Sequence, residues 1–126
     1  MSVNKVTLIG NVGKEPEIKQ LDNGTKIANF PLATSETWKD KNGEKVEQVE
    51  WHNISIFGKL AEIVEMFVNK GTLLYCEGKI KTRSWDDKDG NKRYTTDIIV
   101  SELRMLGGKQ KENEASKNEP NDDLPY

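Results

Sequence analysis

Between Val49 and Lys59 the chain reads V-E-W-H-N-I-S-I-F-G-K, and this alternating stretch restricts the fold more than any other. A side-chain period of two makes it a β-strand, with Val49, Trp51, Asn53, Ser55 and Phe57 on one face and Glu50, His52, Ile54 and Ile56 on the other. Ile54 and Ile56 assign the second face to the interior of a small β domain. Two large rings are then left among small polar residues on the first face. Two readings account for them: Trp51 and Phe57 lie under a loop or a neighbouring subunit, or they are platforms for flat ligands such as unpaired bases.

The flanking sequence supplies the partners of this strand. Val3 to Val12 alternates apolar and polar residues, and Gly10 with Gly13 predict a bulged, bending first strand of the kind that helps a sheet close. Glu15-Pro16 breaks it, Ile18 to Leu21 is a short extension, and Asp22-Asn23-Gly24 is a turn built from residues that tolerate positive φ. The second strand, Lys26 to Glu36, sets Ala28, Phe30 and Leu32 on one face, while Pro31 removes a ladder donor and predicts an edge or bulge. The segment from Trp38 to Lys45 is a charged hairpin tip leading into the central strand.

After Gly58, the residues Leu60, Ile63, Val64, Phe67 and Val68 fall at i, i+3, i+4, i+7 and i+8, the apolar stripe of a short helix. Gly71 is expected as its left-handed C-cap, with Lys70 in the last turn complementing the helix dipole. Lys59 stands at the opposite, unfavourable end, where a cation costs roughly 0.3–1 kcal/mol and calls for another reason, such as a ligand. Leu73 to Trp85 and Lys92 to Leu106 are two further strands around the polar turn 86–91. Three strands, one helix and two strands is the order of an all-β, five-stranded Greek-key barrel of the OB type.

Past Gly107-Gly108 no apolar residue of any size occurs before Leu124, and such a segment cannot bury enough surface to offset its ordering entropy. The expected organisation is a barrel domain at 1–108 and a disordered tail at 109–126. Net charge is −2, but residues 1–108 carry 16 basic and 16 acidic side chains, and the excess acid lies in the tail. The domain is therefore neutral, and the overall sign does not exclude a polyanionic partner. The single cysteine, Cys76, excludes an intramolecular disulfide and reads as a buried strand residue. No leader pattern or membrane-length apolar run occurs, so a cytoplasmic protein with no membrane partner is expected.

Catalytic constellations are missing. One histidine cannot make a two-histidine zinc helix or a Cys/His cluster, no phosphate-binding glycine loop precedes Gly58-Lys59, and Asp86-Asp87-Asp89 lacks calcium-loop spacing. The expectation is a non-enzymatic protein without metal or other cofactor. What the chain does contain is aromatic rings interleaved with cations, the chemistry of a groove for single-stranded nucleic acid. Trp38 precedes Lys39 and Lys41, Phe57 precedes Lys59, and Lys79, Lys81 and Arg83 lead to Trp85, with Lys92 and Arg93 after the turn.

The stretches V-N-K-V-T-L-I-G-N-V-G, A-T-S-E-T-W, E-W-H-N-I-S-I-F-G-K-L-A-E, K-G-T-L-L-Y-C-E-G-K-I-K-T-R-S-W, D-G-N-K-R-Y-T-T and the tip D-D-L-P-Y resemble the bacterial single-stranded DNA-binding protein family. The resemblance implies an OB-fold homotetramer that wraps single-stranded DNA in replication, recombination and repair, near the nucleoid. It assigns stacking to Trp38, Trp51, Phe57 and Trp85, and backbone contacts to Lys5, Lys19, Lys59, Lys70, Lys81, Arg83 and Arg93. His52 and Tyr75 match positions at subunit contacts. Recruitment of replication and repair proteins falls to Asp122, Asp123, Leu124, Pro125 and Tyr126. The sequence departs from the familiar pattern at Asn53, Lys19 and Lys81, where arginine is usual, at Leu73, and at Tyr126, where phenylalanine is usual. Two other readings stay open on the residues themselves: a dimeric accessory factor or single-stranded RNA binder, and a protein-docking module whose aromatics bury an interface.

Overall fold

A long hairpin of β3 (Lys26–Lys39) and β4 (Lys45–Phe57) dominates the computed structural model, which describes residues 1–107. Its register runs without a break from Ile27 opposite Phe57 to Lys39 opposite Lys45, so Trp38 is a strand residue and not part of the turn. β5 (Leu73–Asp86) and β6 (Lys92–Met105) form a second such arm. β1 (Val6–Val12) pairs with β5 and, through Asn11 and Val12, with Ala33 and Leu32 of β3. The order β1-β5-β6-β4-β3 thereby returns to β1, a closed five-stranded barrel in which β4 and β6 run parallel. The short extension expected at Ile18 to Leu21 is a strand of its own, β2 (Glu17–Gln20), added to the flank of β3.

Closure depends on a glycine. A Cβ on Gly10 would lie 2.2 Å from the Ala33 carbonyl oxygen, so the approach of β1 to β3 that pairs Asn11 and Val12 with Ala33 and Leu32 needs a residue without a side chain at position 10. The bulge expected in β1 is absent from its ladder with β5; the register shift lies instead between Glu77 and Gly78, where a Cβ would meet the Ile99 carbonyl at 2.0 Å. Pro31 is not at a bulge but at a local edge of β3, between the stretches paired with β2 and with β1. It sits opposite Asn53 in an unbroken ladder, and its carbonyl accepts from Gly13 N–H. Backbone N and O of one strand residue point the same way, so the missing donor faces the gap between β1 and β2, where no ladder partner is needed.

The even-numbered residues Ala28, Phe30 and Leu32 of β3 and Ile54 and Ile56 of β4 meet Leu74, Cys76, Ile98 and Val100 in the core. α1 (Lys59–Phe67) closes the barrel by burying Ala61 and Val64. The helix ends earlier than its apolar stripe suggests. Val68 is its C-cap in extended conformation, and Gly71, although at φ 95°, lies beyond it and donates its N–H to the Val12 carbonyl. Val68 is buried regardless, and Lys70 falls outside the last turn, which removes the dipole argument for its charge. Burial pushes the Cys76 thiol up to about 12, as an inert strand residue requires.

Candidate nucleic-acid interface

The face of the barrel opposite this core is set by strand register. Asn53 of β4 lies beside Asp97 of β6, and Asp97 beside Lys81 of β5; Ser55, Ile99 and Lys79 form the next row. On the other flank Phe57 is beside Ile27, which is beside Lys19 of β2. The result is a continuous surface in which two grooves of about 500 and 400 Å³ share Lys19, Asn29, Arg83 and Asp97. Phe57 and Lys81 line the smaller groove; Lys14, Pro31 and Asn53 line the larger.

Trp51, on the same side of β4, is 58% exposed, and Phe57 is 46% exposed. The six-membered ring of the Trp51 indole lies against Gly13, where a Cβ would stand 2.4 Å from its Cζ3. Trp85 extends the same face along the β5–β6 arm, opposite Arg93, and its indole N–H donates to Thr95 Oγ1 at 3.1 Å. Trp38 is different. It lies opposite Val46, on the side of the β3–β4 ladder that carries Leu32 and Ile54 nearer the barrel, and so faces away from Trp51 and Phe57. Three of the four expected stacking residues share one surface, and the fourth is on the reverse of its arm.

The cations divide as well. Lys19, Lys81 and Arg83 border the grooves. Arg83 donates from Nε to Asp97 Oδ2 at 2.7 Å, and Arg93 from Nε to Asp87 Oδ2 at 2.8 Å. Lys59 opens α1 just past Phe57, behind a Gly58 N-cap that makes no side-chain cap bond. Lys70 is in the loop after α1, its backbone N–H donating to Glu15 at 3.1 Å. Lys5 precedes β1, lies 3.7 Å from Glu77, and borders a separate cleft with Lys79. Lys5, Lys59 and Lys70 are therefore outside the two grooves.

His52 and Tyr75 are satisfied within the chain. His52 Nε2 is 3.0 Å from Thr34 Oγ1, and the Tyr75 hydroxyl donates to Glu77 at 2.8 Å, a bond that raises the phenol above its ordinary value. The acidic turn holds structure: Asp87 Oδ1 accepts from the N–H groups of Asp89 and Asn91. These bonds, Asn91 foremost and Arg93 next, keep its carboxyl below the usual range. The sites expected at Asp122, Asp123, Leu124, Pro125 and Tyr126 lie outside the described residues.

Sequence reasoning missed Lys14, Asn29, Thr95 and Asp97. Lys14, a cation following the glycine of a bend, had a usable signal. Asn29 and Ser55, joined by a 2.7 Å hydrogen bond, face each other only because of the β3–β4 register. Asp97 had no signal at all, since nothing in Y-T-T-D-I-I-V places a carboxylate at the centre of the face.

A closed five-stranded Greek-key barrel with one helix between β4 and β5 is an OB fold, and rings with cations on its outer strand face suit single-stranded nucleic acid. The chain belongs to the single-strand binding protein family, whose model matches residues 3–106; its members are binding proteins and not enzymes. The single-stranded DNA-binding protein of Neisseria meningitidis is 48% identical over 126 residues, all of this chain and 68% of the relative. Single-stranded DNA-binding protein 1 of Xylella fastidiosa is 48% identical over 125 residues, covering 98% of this chain and 92% of the relative. Among solved structures, a Plasmodium falciparum SSB complex with ssDNA superposes with a TM-score of 0.78 at 37% identity, covering 85% of this chain and 97% of that one. A deletion mutant of the Thermus aquaticus single-stranded DNA binding protein gives 0.71 at 28% identity, covering 85% and 52%.

Proposed function

We propose that this protein binds single-stranded DNA without sequence preference, coating it during replication, recombination and repair. The observation that carries the reading is the joining of Trp51, Phe57, Lys19, Lys81 and Arg83 on one open face by the registers of five strands. Bases stack on Trp51, Phe57 and Trp85, while the lysines and Arg83 neutralise phosphates. Trp38 serves the same strand from the reverse of its arm, and Lys5, Lys59, Lys70 and Arg93 guide it beyond the grooves. Stacking is blind to base identity because every base has a π face. Titration with oligo(dT) should quench most tryptophan emission, and affinity should fall with salt at a log–log slope of about −0.7 per phosphate neutralised. Emission unchanged by oligo(dT) would favour a protein-docking surface, and poly(U) competing as well as poly(dT) would favour RNA.

The active form is a homotetramer. Among the described residues, β1 is paired along 6–10 only with β5, and Ile9 is exposed beside Tyr75, a strand edge with an apolar flank suited to a second copy. A monomeric mass at micromolar concentration would count against this. The barrel carries an acidic tail at 109–126, and Asp122, Asp123, Leu124, Pro125 and Tyr126 form a tip suited to basic-rimmed apolar pockets on replication and repair proteins. Removing residues 119–126 should leave oligo(dT) affinity equal or slightly higher while abolishing association with such enzymes.

A further inference from the structure

A carboxylate at the centre of a surface that takes a polyanion is unfavourable unless it does something a neutral residue cannot. Asp97 stands there, with Asn53 on one side and Lys81 on the other, and it borders both grooves. Its side chain is only 12% exposed, while that of its partner Arg83 is 59% exposed. The acid is thus recessed below the cation. The 2.7 Å contact uses Arg83 Nε–H, one of five guanidinium donors, and the four on Nη1 and Nη2 lie outside it.

We propose that Asp97 is a positioning residue for single-strand binding: it holds the Arg83 guanidinium in place before the strand arrives, so that the free Nη edge meets a phosphate already oriented. This rests on the reading of the face as the DNA site. A free arginine loses its rotamer freedom on binding. Here that loss is met during folding. The same contact explains why a recessed acid is tolerated: Arg83 neutralises it, and Lys19 and Lys81 leave the smaller groove net positive, while in the larger one Lys14, Lys19 and Arg83 balance Glu15, Glu17 and Asp97. Lys19 and Lys81, which border the smaller groove, do not supply such an orientation themselves. A lysine presents a point charge without a planar fork, so orientation has to come from an arginine held elsewhere on the face.

The test is a double-mutant cycle in oligo(dT) titrations at fixed salt, using wild type, Asp97→Asn, Arg83→Ala and the pair. Asp97→Asn should weaken binding by roughly two- to ten-fold in the wild type, the equivalent of one newly immobilised side chain, and by much less when Arg83 is already absent. Equal or tighter binding by Asp97→Asn would show that the acid only repels DNA. An equal loss in the Arg83→Ala background would show that it acts through something other than Arg83. Either result overturns the proposal. A second measurement needs no variant. In the free wild-type protein, NMR of arginine Nε–H groups should find Arg83 rigid, in contrast to Arg104, whose pairing with Glu102 is exposed on both sides. An Arg83 side chain as mobile as Arg104 would refute preorganisation. Failure of wild type to bind oligo(dT) at all would instead remove the DNA reading of the face.

Discussion

Phe57 shows how one side chain can be large, apolar and still not part of the core. It sits on the odd-numbered face of β4 beside Ile27, half-exposed, while its neighbour Ile56 is fully buried. Phe57→Ala should therefore leave thermal stability nearly unchanged and cost roughly 1–3 kcal/mol in oligo(dT) affinity, the loss of one base stack. A protein that unfolds on this change would make Phe57 a core residue. Gly13 has the complementary role. Its space is filled by the Trp51 ring, so Gly13→Ala should tilt or displace the indole and alter its near-ultraviolet circular dichroism, with β1 still paired. Asp87 makes a prediction in pH. Its folded carboxyl titrates below the ordinary value of 3.8 because Asn91, Arg93 and Asp89 bond the charged form. A depressed acid contributes stability above its unfolded value and loses it as pH falls through the folded one. The backbone resonances of Asp89 and Asn91 should accordingly shift below pH 3.8.

At the scale of elements, both arms are closed by the same device. In 40–44 and in 87–91 an aspartate opens the turn, accepts backbone N–H bonds from residues two and four further on, and is followed three residues on by a glycine with φ near 80°. D-K-N-G-E and D-K-D-G-N are thus one solution used twice, and the legible signal was the Asp-Gly spacing. The helix is a contrasting case. Its N-cap glycine makes no side-chain bond and Lys59 opposes its dipole, with only Glu62 favouring it in the first turn, so it is held mainly by the burial of Ala61 and Val64. Lys59 is then free to serve a ligand. Lys59→Glu should flatten the salt dependence of oligo(dT) binding by about 0.7 in the log–log slope. An unchanged slope would make Lys59 a tolerated surface charge.

In the whole molecule, the core and the proposed binding face lie on opposite sides of the same strands, with Trp38 the exception on its arm. Leu32 is fully buried where β1 closes onto β3, opposite Val12. Leu32→Ala should cost roughly 2–5 kcal/mol in denaturant unfolding by leaving a cavity at that closure, with oligo(dT) affinity of the folded fraction unchanged. A parallel loss of affinity would show that the seam of the barrel also shapes the groove. The alternation of buried Ile54 and Ile56 with exposed Trp51 and Phe57 is the smallest unit of this division, and the barrel repeats it around its circumference.

The sequence by itself determined the elements and their faces, because side-chain period, glycine and aspartate turns and the apolar stripe are local properties of the chain. It distinguished core from candidate surface on β4, and it singled out the rings and cations by type. Tertiary structure alone decided which of them meet. Trp38 left the shared face because the β3–β4 ladder continues through it without the bulge that would reverse its side. Lys5 and Lys70 fell outside the grooves because β1 and the loop after α1 lie elsewhere on the barrel. Asp97 and Arg83 are 14 residues apart and meet because β5 and β6 are hydrogen-bonded neighbours after the shift at Gly78. Register across strands is a non-local quantity: closing the barrel sets it for every strand at once, and no single stretch of sequence carries it.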